Sequence, residues 1–227
     1  MNKFIVSIEG NIGSGKSTLI KILNNNSNHK NVVFVDEPVN EWSEIVDNNG
    51  KNILTKFYED QEKYSFSFQM MAYISRLNKL RQALNSGSNY IITERSLTTD
   101  KYVFAKMLYD TGKMDTCEYQ IYNNWFDSFN QDTEVTHIIY VRTDPIVCSD
   151  RIKIRSRRGE NIIGEDYLND CHVYHENMIN ELRKKNIPVL ELNGNLNVFN
   201  EDVVDTWMES IDNFVLSTEE FELGDSC

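Results

Sequence analysis

Positive charge is scarce in this 227-residue chain: 23 lysines and arginines stand against 35 aspartates and glutamates, giving a formal net charge of −12 and an isoelectric point near 4.8. Sequence-independent binding of nucleic acid works by displacing counterions with lysine and arginine, so this composition argues against it and points to small-molecule partners. Cysteine is also sparse. Cys117, Cys148, Cys171 and Cys227 show no C-x-x-C spacing, and no secretory leader is read ahead of them. Reduced thiols in a cytoplasmic compartment are the expectation. No apolar run approaches the roughly 20 residues that span a bilayer, so no membrane partner is expected. Neither an internal repeat nor a compositional break divides the chain; Asn24–Asn28 and Asp47–Gly50 read as turns rather than linkers. One domain over residues 1–216 is expected, with 40% apolar residues to build its core. The acidic segment 217–227 is expected to be a mobile tail.

Against that background, Gly10-Asn11-Ile12-Gly13-Ser14-Gly15-Lys16-Ser17 fits G-x-x-x-x-G-K-S and follows the apolar run Phe4–Ile8. The pattern reads as a strand running into a phosphate-binding loop. Its glycines let successive backbone N–H groups face phosphates, Lys16 reaches the β- and γ-phosphates, and the Ser17 hydroxyl can bind Mg²⁺. Leu19–Leu23 continues as a helix whose N-terminus favours the anion. The order strand, loop, helix makes nucleotide binding the firm expectation.

Four further β-rich runs, Val32–Val35, Tyr90–Thr93, His137–Val141 and Pro188–Leu192, are mostly separated by long helical stretches. This alternation predicts an α/β fold with a five-stranded parallel sheet flanked by helices. Ligands in such folds lie at the carboxyl ends of the strands, which singles out Asp36-Glu37, Glu94-Arg95 and Arg142-Thr143-Asp144. The basic cluster Arg151-Ile152-Lys153-Ile154-Arg155-Ser156-Arg157-Arg158 stands out in so acidic a chain as a local anion site, or else as a solvated helix face.

A bound triphosphate can be transferred to an acceptor or hydrolysed to drive a switch. A guanine-specific switch would carry Asn-Lys-x-Asp; Asn78-Lys79-Leu80-Arg81 puts arginine in the last place, inside a predicted helix. Transfer to a hydroxyl needs a carboxylate near that proton and cations near the moving phosphoryl. Glu37 can supply the first. Glu94 and Arg95 offer a metal-facing acid beside a guanidinium.

Glu37-Pro38-Val39-Asn40-Glu41-Trp42 and Glu94-Arg95-Ser96, placed behind Gly10–Ser17, resemble the motif set of cellular-type deoxyribonucleoside kinases. Tyr58, Phe66-Ser67-Phe68-Gln69, Ser75-Arg76-Leu77, Thr99–Ala105, Ile121–Trp125 and the arginine-rich stretch follow in family order, so the resemblance covers about residues 3 to 195. It implies a P-loop kinase fold with an arginine-rich lid, and ATP or another nucleoside triphosphate with Mg²⁺ phosphorylating the 5′-hydroxyl of a deoxynucleoside in nucleotide salvage. Within it, Glu37 is the general base and Arg95 contacts the same oxygen and the incoming phosphoryl. Ser17 and Glu94 hold the metal. Tyr58 and Glu160 bind the 3′-hydroxyl. The phosphate loop through Thr18, with Arg151, Arg155 and Arg157 of the lid and Asn195 beyond the last strand, binds the donor. Gln69, Phe68, Phe104, Ala72, Arg76 and Asp100 surround the base, and Val39, Trp42, Leu54 and Phe57 complete the acceptor pocket. The family's usual acidic pair in the lid is Gly159-Glu160 here, leaving one carboxylate. A homodimer is also implied.

Arg76 and Asp100 place the chain nearer the deoxycytidine and deoxyguanosine kinase branch than the thymidine-accepting relatives. Physically, Asp100 suits an exocyclic amine on the base and repels the thymine carbonyl. Two alternatives stay open. A thymidylate-type kinase would need extra cations for its acceptor's phosphate, and a non-catalytic regulator has no evident need for Glu37, Tyr58 and Gln69 together. Cys171, His172 and His175 are read as residues of the helix after the lid rather than a metal site, and Met70, Met71 and Trp125 as core.

Overall fold

The computed structural model describes residues 3–26, 31–157 and 159–224, and their side chains except at 26, 161 and 216–224. Its centre is the expected parallel sheet: β1 (Phe4–Glu9), β2 (Val32–Val35), β3 (Tyr90–Glu94), β4 (His137–Arg142) and β5 (Val189–Asn193), in the order β2-β3-β1-β4-β5. β1 lies between β3 and β4, with Ile8 opposite Glu94 on one side and Ile139 on the other. The strand order reverses at β1, so the loop leaving it opens into the crevice where ligands of such sheets bind.

Side-chain alternation along the strands separates two cores. Ile5, Ile138 and Tyr140 face one layer, which contains α4 (Gln61–Leu84) and α9 (Glu165–Lys184). Val6, Ile8, Ile139 and Val141 face the other, packed on Leu19, Ile20 and Leu23 of α1 (Lys16–Asn26) and on Trp207 and Ile211 of α10 (Glu201–Gly224). Burial on both faces explains why these strands read as nearly continuous apolar runs.

Short elements close the pocket side: α2 (Val39–Glu44), α3 (Ile53–Glu59) and α5 (Leu97–Thr99), the last passing through a π-helical turn over Asp100–Ala105 into α6 (Lys106–Asp110). α7 (Thr116–Phe129) starts at a capping box in which Asp115 and Glu118 satisfy each other's backbone N–H groups. α8 (Pro145–Arg155) ends at Ser156, in left-handed backbone, and leads to a 3₁₀ turn over Glu160–Ile162.

Trp125, expected in the core, is 49% exposed and stacks on Phe129 on the outer face of α7. Met70 and Met71 are half-buried against the core. The turn at Asp47–Gly50 forms under an isolated bridge between Val46 and Asn52. That at Asn24–Asn28 begins inside α1, and Ser27 and Asn28 lie outside the described residues. α10 carries helical backbone through Gly224, over most of the segment read as a tail; Asp225 to Cys227, including that cysteine, lie outside the described residues. No helix among the described residues is long and apolar enough to cross a membrane.

Candidate active site

A cavity of about 620 Å³ opens at the carboxyl edge of the sheet and brings together residues from nearly every segment singled out in the sequence. Its floor is the phosphate loop. Gly13 adopts φ +79°, and a Cβ there would stand 2.7 Å from the Cys148 carbonyl oxygen, so the loop's close approach to α8 requires glycine. Lys16 is tucked in, donating to the Asn11 carbonyl at 2.7 Å. Burial, and then the neighbouring Arg95, lowers its pKa to about 7, against the pull of Glu94 and Glu37. Ser17 Oγ, at the start of α1, donates to Glu94 Oε1, at the end of β3, at 2.6 Å, which sets side by side two hard oxygens that could hold a divalent cation.

The centre of the cavity is an interlocked charge cluster. Glu37 Oε1 accepts from Arg95 at 2.8 Å and from Arg76 at 3.0 Å. Burial would raise the Glu37 pKa, but Arg95, Arg76 and Lys16 outweigh it and hold the carboxyl well below the usual range. Arg76 also donates from Nε to Asp100 Oδ2 at 2.9 Å and from a terminal nitrogen to the Glu94 carbonyl at 2.8 Å. Burial pushes the Asp100 carboxyl above its ordinary value while Arg76 opposes the shift. Arg95 has φ +62°, an unusual backbone for a residue with a Cβ, and its guanidinium lies 4.9 Å from the centre of the Phe104 ring. The π turn starts at Asp100 and carries Phe104 four residues on, so both face the cavity.

Aromatic rings wall one end of the cavity. Phe57 stacks on Phe68 at 4.5 Å, and Trp42, anchored by its indole N–H on Ser75 Oγ, meets Phe68 edge-on. Between them Gln69 is 2% exposed, lines the cavity and has no hydrogen-bond partner for Oε1. An unpaired buried amide oxygen is costly, so a donor supplied by a ligand is the natural complement. Tyr58 lines the same end with Val39, Leu54 and Ala72. Burial and the Glu160 charge hold its phenol well above the usual pKa, so it remains a donor.

The lid closes the other side. Glu160 is paired with Arg155 and, at 3.0 Å, with Arg157. The departure at Gly159 has a steric cause: its φ is +90°, and a Cβ would meet Thr55 Oγ1 at 2.6 Å where the lid rests on α3. Arg151 spans from the Ser14 carbonyl to those of Gly194 and Leu196.

Three residues of the loop do not line the cavity: Gly10, Asn11 and Ser14. Asn11 is instead a strut, its amide donating to the Leu168 carbonyl of α9 at 2.9 Å. Asn195 does line it, but its side chain is held by Asp144 through both amide atoms. Sequence reading missed Lys21, Ile154, Tyr167, Asn197, Val198 and Phe199 on the wall. Lys21 sits one turn past Ser17, a spacing that could have flagged it; the loop residues after Asn195 carry no motif. Phe199 and Ile154 are more than four-fifths exposed. His175 is buried, its Nδ1 lies 2.7 Å from the Cys171 carbonyl, and no metal-holding cluster occurs among the described residues.

Comparison with known proteins agrees with this geometry. The family described as deoxynucleoside kinase matches residues 6–216. A Fowlpox virus (strain NVSL) protein described as "Probable deoxycytidine kinase" is 40% identical over 194 residues, 83% of this chain and 78% of the relative. The deoxycytidine kinase of Homo sapiens is 34% identical over 218 residues, covering 84% and 83% of the two chains. "Thymidine kinase 2, mitochondrial" of Macaca fascicularis is 32% identical over 176 residues, covering 77% of this chain and 63% of the relative.

Proposed function

The chain belongs to the deoxynucleoside kinase family and phosphorylates a deoxynucleoside from a nucleoside triphosphate, and we propose that its preferred acceptors carry an exocyclic amine, deoxycytidine first. The observation that carries this reading is Gln69 Oε1, buried and unpaired beside the Arg76–Asp100 pair. Cytosine presents an N4 amine that can donate to Gln69 Oε1 and to Asp100, and an N3 that can accept from the Gln69 amide. Thymine presents a carbonyl to Asp100. One buried acceptor then faces another, which disfavours thymidine.

In this reading Tyr58 and Glu160 hold the 3′-hydroxyl, and Glu37 accepts a hydrogen bond from the 5′-hydroxyl and aims it at the γ-phosphoryl. With so low a pKa Glu37 is a weak base. That is compatible with a loose phosphoryl-transfer transition state, in which the hydroxyl gives up its proton late and orientation matters more than basicity. Arg95, Lys16, Arg151, Arg155 and Arg157 carry the charge of the donor phosphates, and lid closure keeps water from the γ-phosphoryl. Ser17 Oγ and Glu94 Oε1, 2.6 Å apart, would hold Mg²⁺, which would supply neutralisation of the donor's phosphate charge. ATP is the donor we assign.

Ile121, Trp125 and Phe129 are exposed at successive turns of α7, and Ile74 is exposed on α4, which packs against it. This apolar stripe supports a homodimer through the α4/α7 face. The acidic composition supports the absence of a nucleic-acid partner, and the free thiols of Cys117, Cys148 and Cys171 support a cytoplasmic setting. A coupled assay across deoxycytidine, deoxyadenosine, deoxyguanosine, thymidine and thymidylate tests the reading. Highest kcat/KM on deoxycytidine is expected; thymidine equal to deoxycytidine sinks the base assignment, and thymidylate as the best acceptor sinks the acceptor class.

A further inference from the structure

Glu9 closes β1 immediately before the phosphate loop and is fully buried. Its carboxylate is surrounded by neutral donors. Oε1 accepts from Ser7 Oγ at 2.6 Å, from the Ser96 backbone N–H at 2.9 Å and from Ser96 Oγ at 2.6 Å, while Oε2 accepts from Thr99 Oγ1. Ser7 lies two residues back on the same face of β1, whereas Ser96 caps α5 just after β3 and Thr99 is the last residue of that helix. The group therefore ties the strand that feeds the phosphate loop to the turn that carries Arg95 and Asp100.

That turn is where the backbone is strained. Arg95 sits in the left-handed region, a conformation that persists only where the surroundings over-determine it. Its N–H donates to the Ile8 carbonyl at 3.0 Å and its carbonyl accepts from Thr93 Oγ1 at 2.9 Å. The next N–H and hydroxyl, both of Ser96, end on Glu9. Every polar group of the Arg95–Ser96 backbone segment is thus tied down, and Glu9 supplies the restraint on the C-terminal side. The negative charge of Glu9 also favours the cationic form of Arg95.

We propose that Glu9 is a positioning residue for phosphoryl transfer, its carboxylate locking the Ser96 turn so that Arg95 is held in left-handed backbone with its guanidinium between Glu37 and the phosphate loop. Because Glu9 touches neither cavity nor substrate, it acts on the chemical step through Arg95 rather than on substrate affinity.

The test is Glu9→Gln in the full chain, an isosteric change that turns one acceptor into a donor facing other donors. A fall in kcat of about thirtyfold or more is expected, with KM for deoxycytidine and ATP moving less than about threefold. A general loss of stability would not produce that split in the folded fraction. Glu9→Asp, which keeps the charge, should recover part of the kcat. Should Glu9→Gln fail to fold, the Ser96→Ala/Thr99→Val double variant removes the two hydroxyl donors on the α5 side, leaves that of Ser7, keeps Glu9 and is expected to lower kcat in the same way. Crystal structures of the variants give a readout independent of the acceptor, so a wild type inactive on every deoxynucleoside would sink the proposed function and still leave this proposal decided. A folded variant with normal kcat, or one whose Arg95 keeps its left-handed backbone and its contact with Glu37, overturns the assignment.

Discussion

Arg95 and Arg76 share one oxygen of Glu37, at 2.8 and 3.0 Å, so this carboxylate is fixed from two sides in the ligand-free fold. The Glu37 pKa therefore lies far below that of a free glutamate, near 4.3 in the unfolded chain. A depressed pKa stabilises the fold above the unfolded value, and that contribution is lost as the pH falls toward the folded one. Between pH 5 and 8 Glu37 stays ionised.

Glu37→Gln should accordingly lower kcat about a hundredfold at every pH in that range, leaving the shape of the pH profile unchanged. The measurement is kcat on deoxycytidine from pH 5 to 8 in both proteins. Turnover within about threefold of wild type would remove Glu37 from the proposed role, and an acid limb present in wild type and absent in the variant would show that Glu37 titrates within this range.

Lys16 titrates the other way. Its folded pKa of about 7 lies below the unfolded value near 10.4, so the unfolded chain binds more protons between these values and the ligand-free fold gains stability from this group as pH rises through that window. A bound triphosphate surrounds the amine with negative charge and restores its proton. Calorimetry of triphosphate binding in buffers of different ionisation enthalpy should show greater proton uptake at pH 8 than at pH 6. Uptake that does not change with pH would contradict the placement of Lys16 on the phosphates.

The phosphate loop and the strand-end acids were legible because each depends on local spacing: a strand, then glycines, then Lys16; a strand, then Glu94-Arg95. The rest of the site depends on what other segments bring. Ile154, Asn197, Val198 and Phe199 reach the cavity because the lid and the loop after β5 converge there, which no local pattern encodes. Asn11 sits inside the motif yet turns away to Leu168, more than 150 residues distant. The π turn at Asp100–Ala105 has ordinary helical composition, and Trp125 follows a helical period that does not say which face is covered. Glu9 went unnoticed beside the glycine that follows it, since only the fold brings Ser96 and Thr99 onto its oxygens.

Tyr58 remains a protonated donor because burial and the nearby Glu160 disfavour phenolate. Tyr58→Phe should therefore remove one hydrogen bond to the 3′-hydroxyl without altering charge. The kcat/KM advantage of deoxycytidine over 2′,3′-dideoxycytidine should shrink about tenfold, since a site built to bond a hydroxyl penalises its absence. An unchanged ratio would place the 3′-hydroxyl elsewhere.

The Arg76–Asp100 pair allows the most discriminating experiment, because its two members are not equivalent. Arg76→Met leaves Asp100, 1% exposed, without its cation and takes from Glu37 one of its two arginines. Its cost should approach the roughly 3–5 kcal/mol of a broken buried ion pair. Asp100→Ala leaves Arg76 still bound to Glu37 and to the Glu94 carbonyl, so it should be the milder change. Combining them as Arg76→Met/Asp100→Ala removes the acceptor proposed to oppose the thymine carbonyl. It also frees Glu37 from Arg76, so total turnover should fall even as specificity shifts. Thymidine relative to deoxycytidine should gain at least about tenfold in kcat/KM, the equivalent of one lost clash between acceptors. Both ratios are read in wild type, the two single variants and the double variant, with thermal unfolding to confirm folding. A folded double variant whose ratio stays at the wild-type value would show that the base is chosen by Gln69 and the aromatic walls alone, and that the charged pair serves only to hold Glu37.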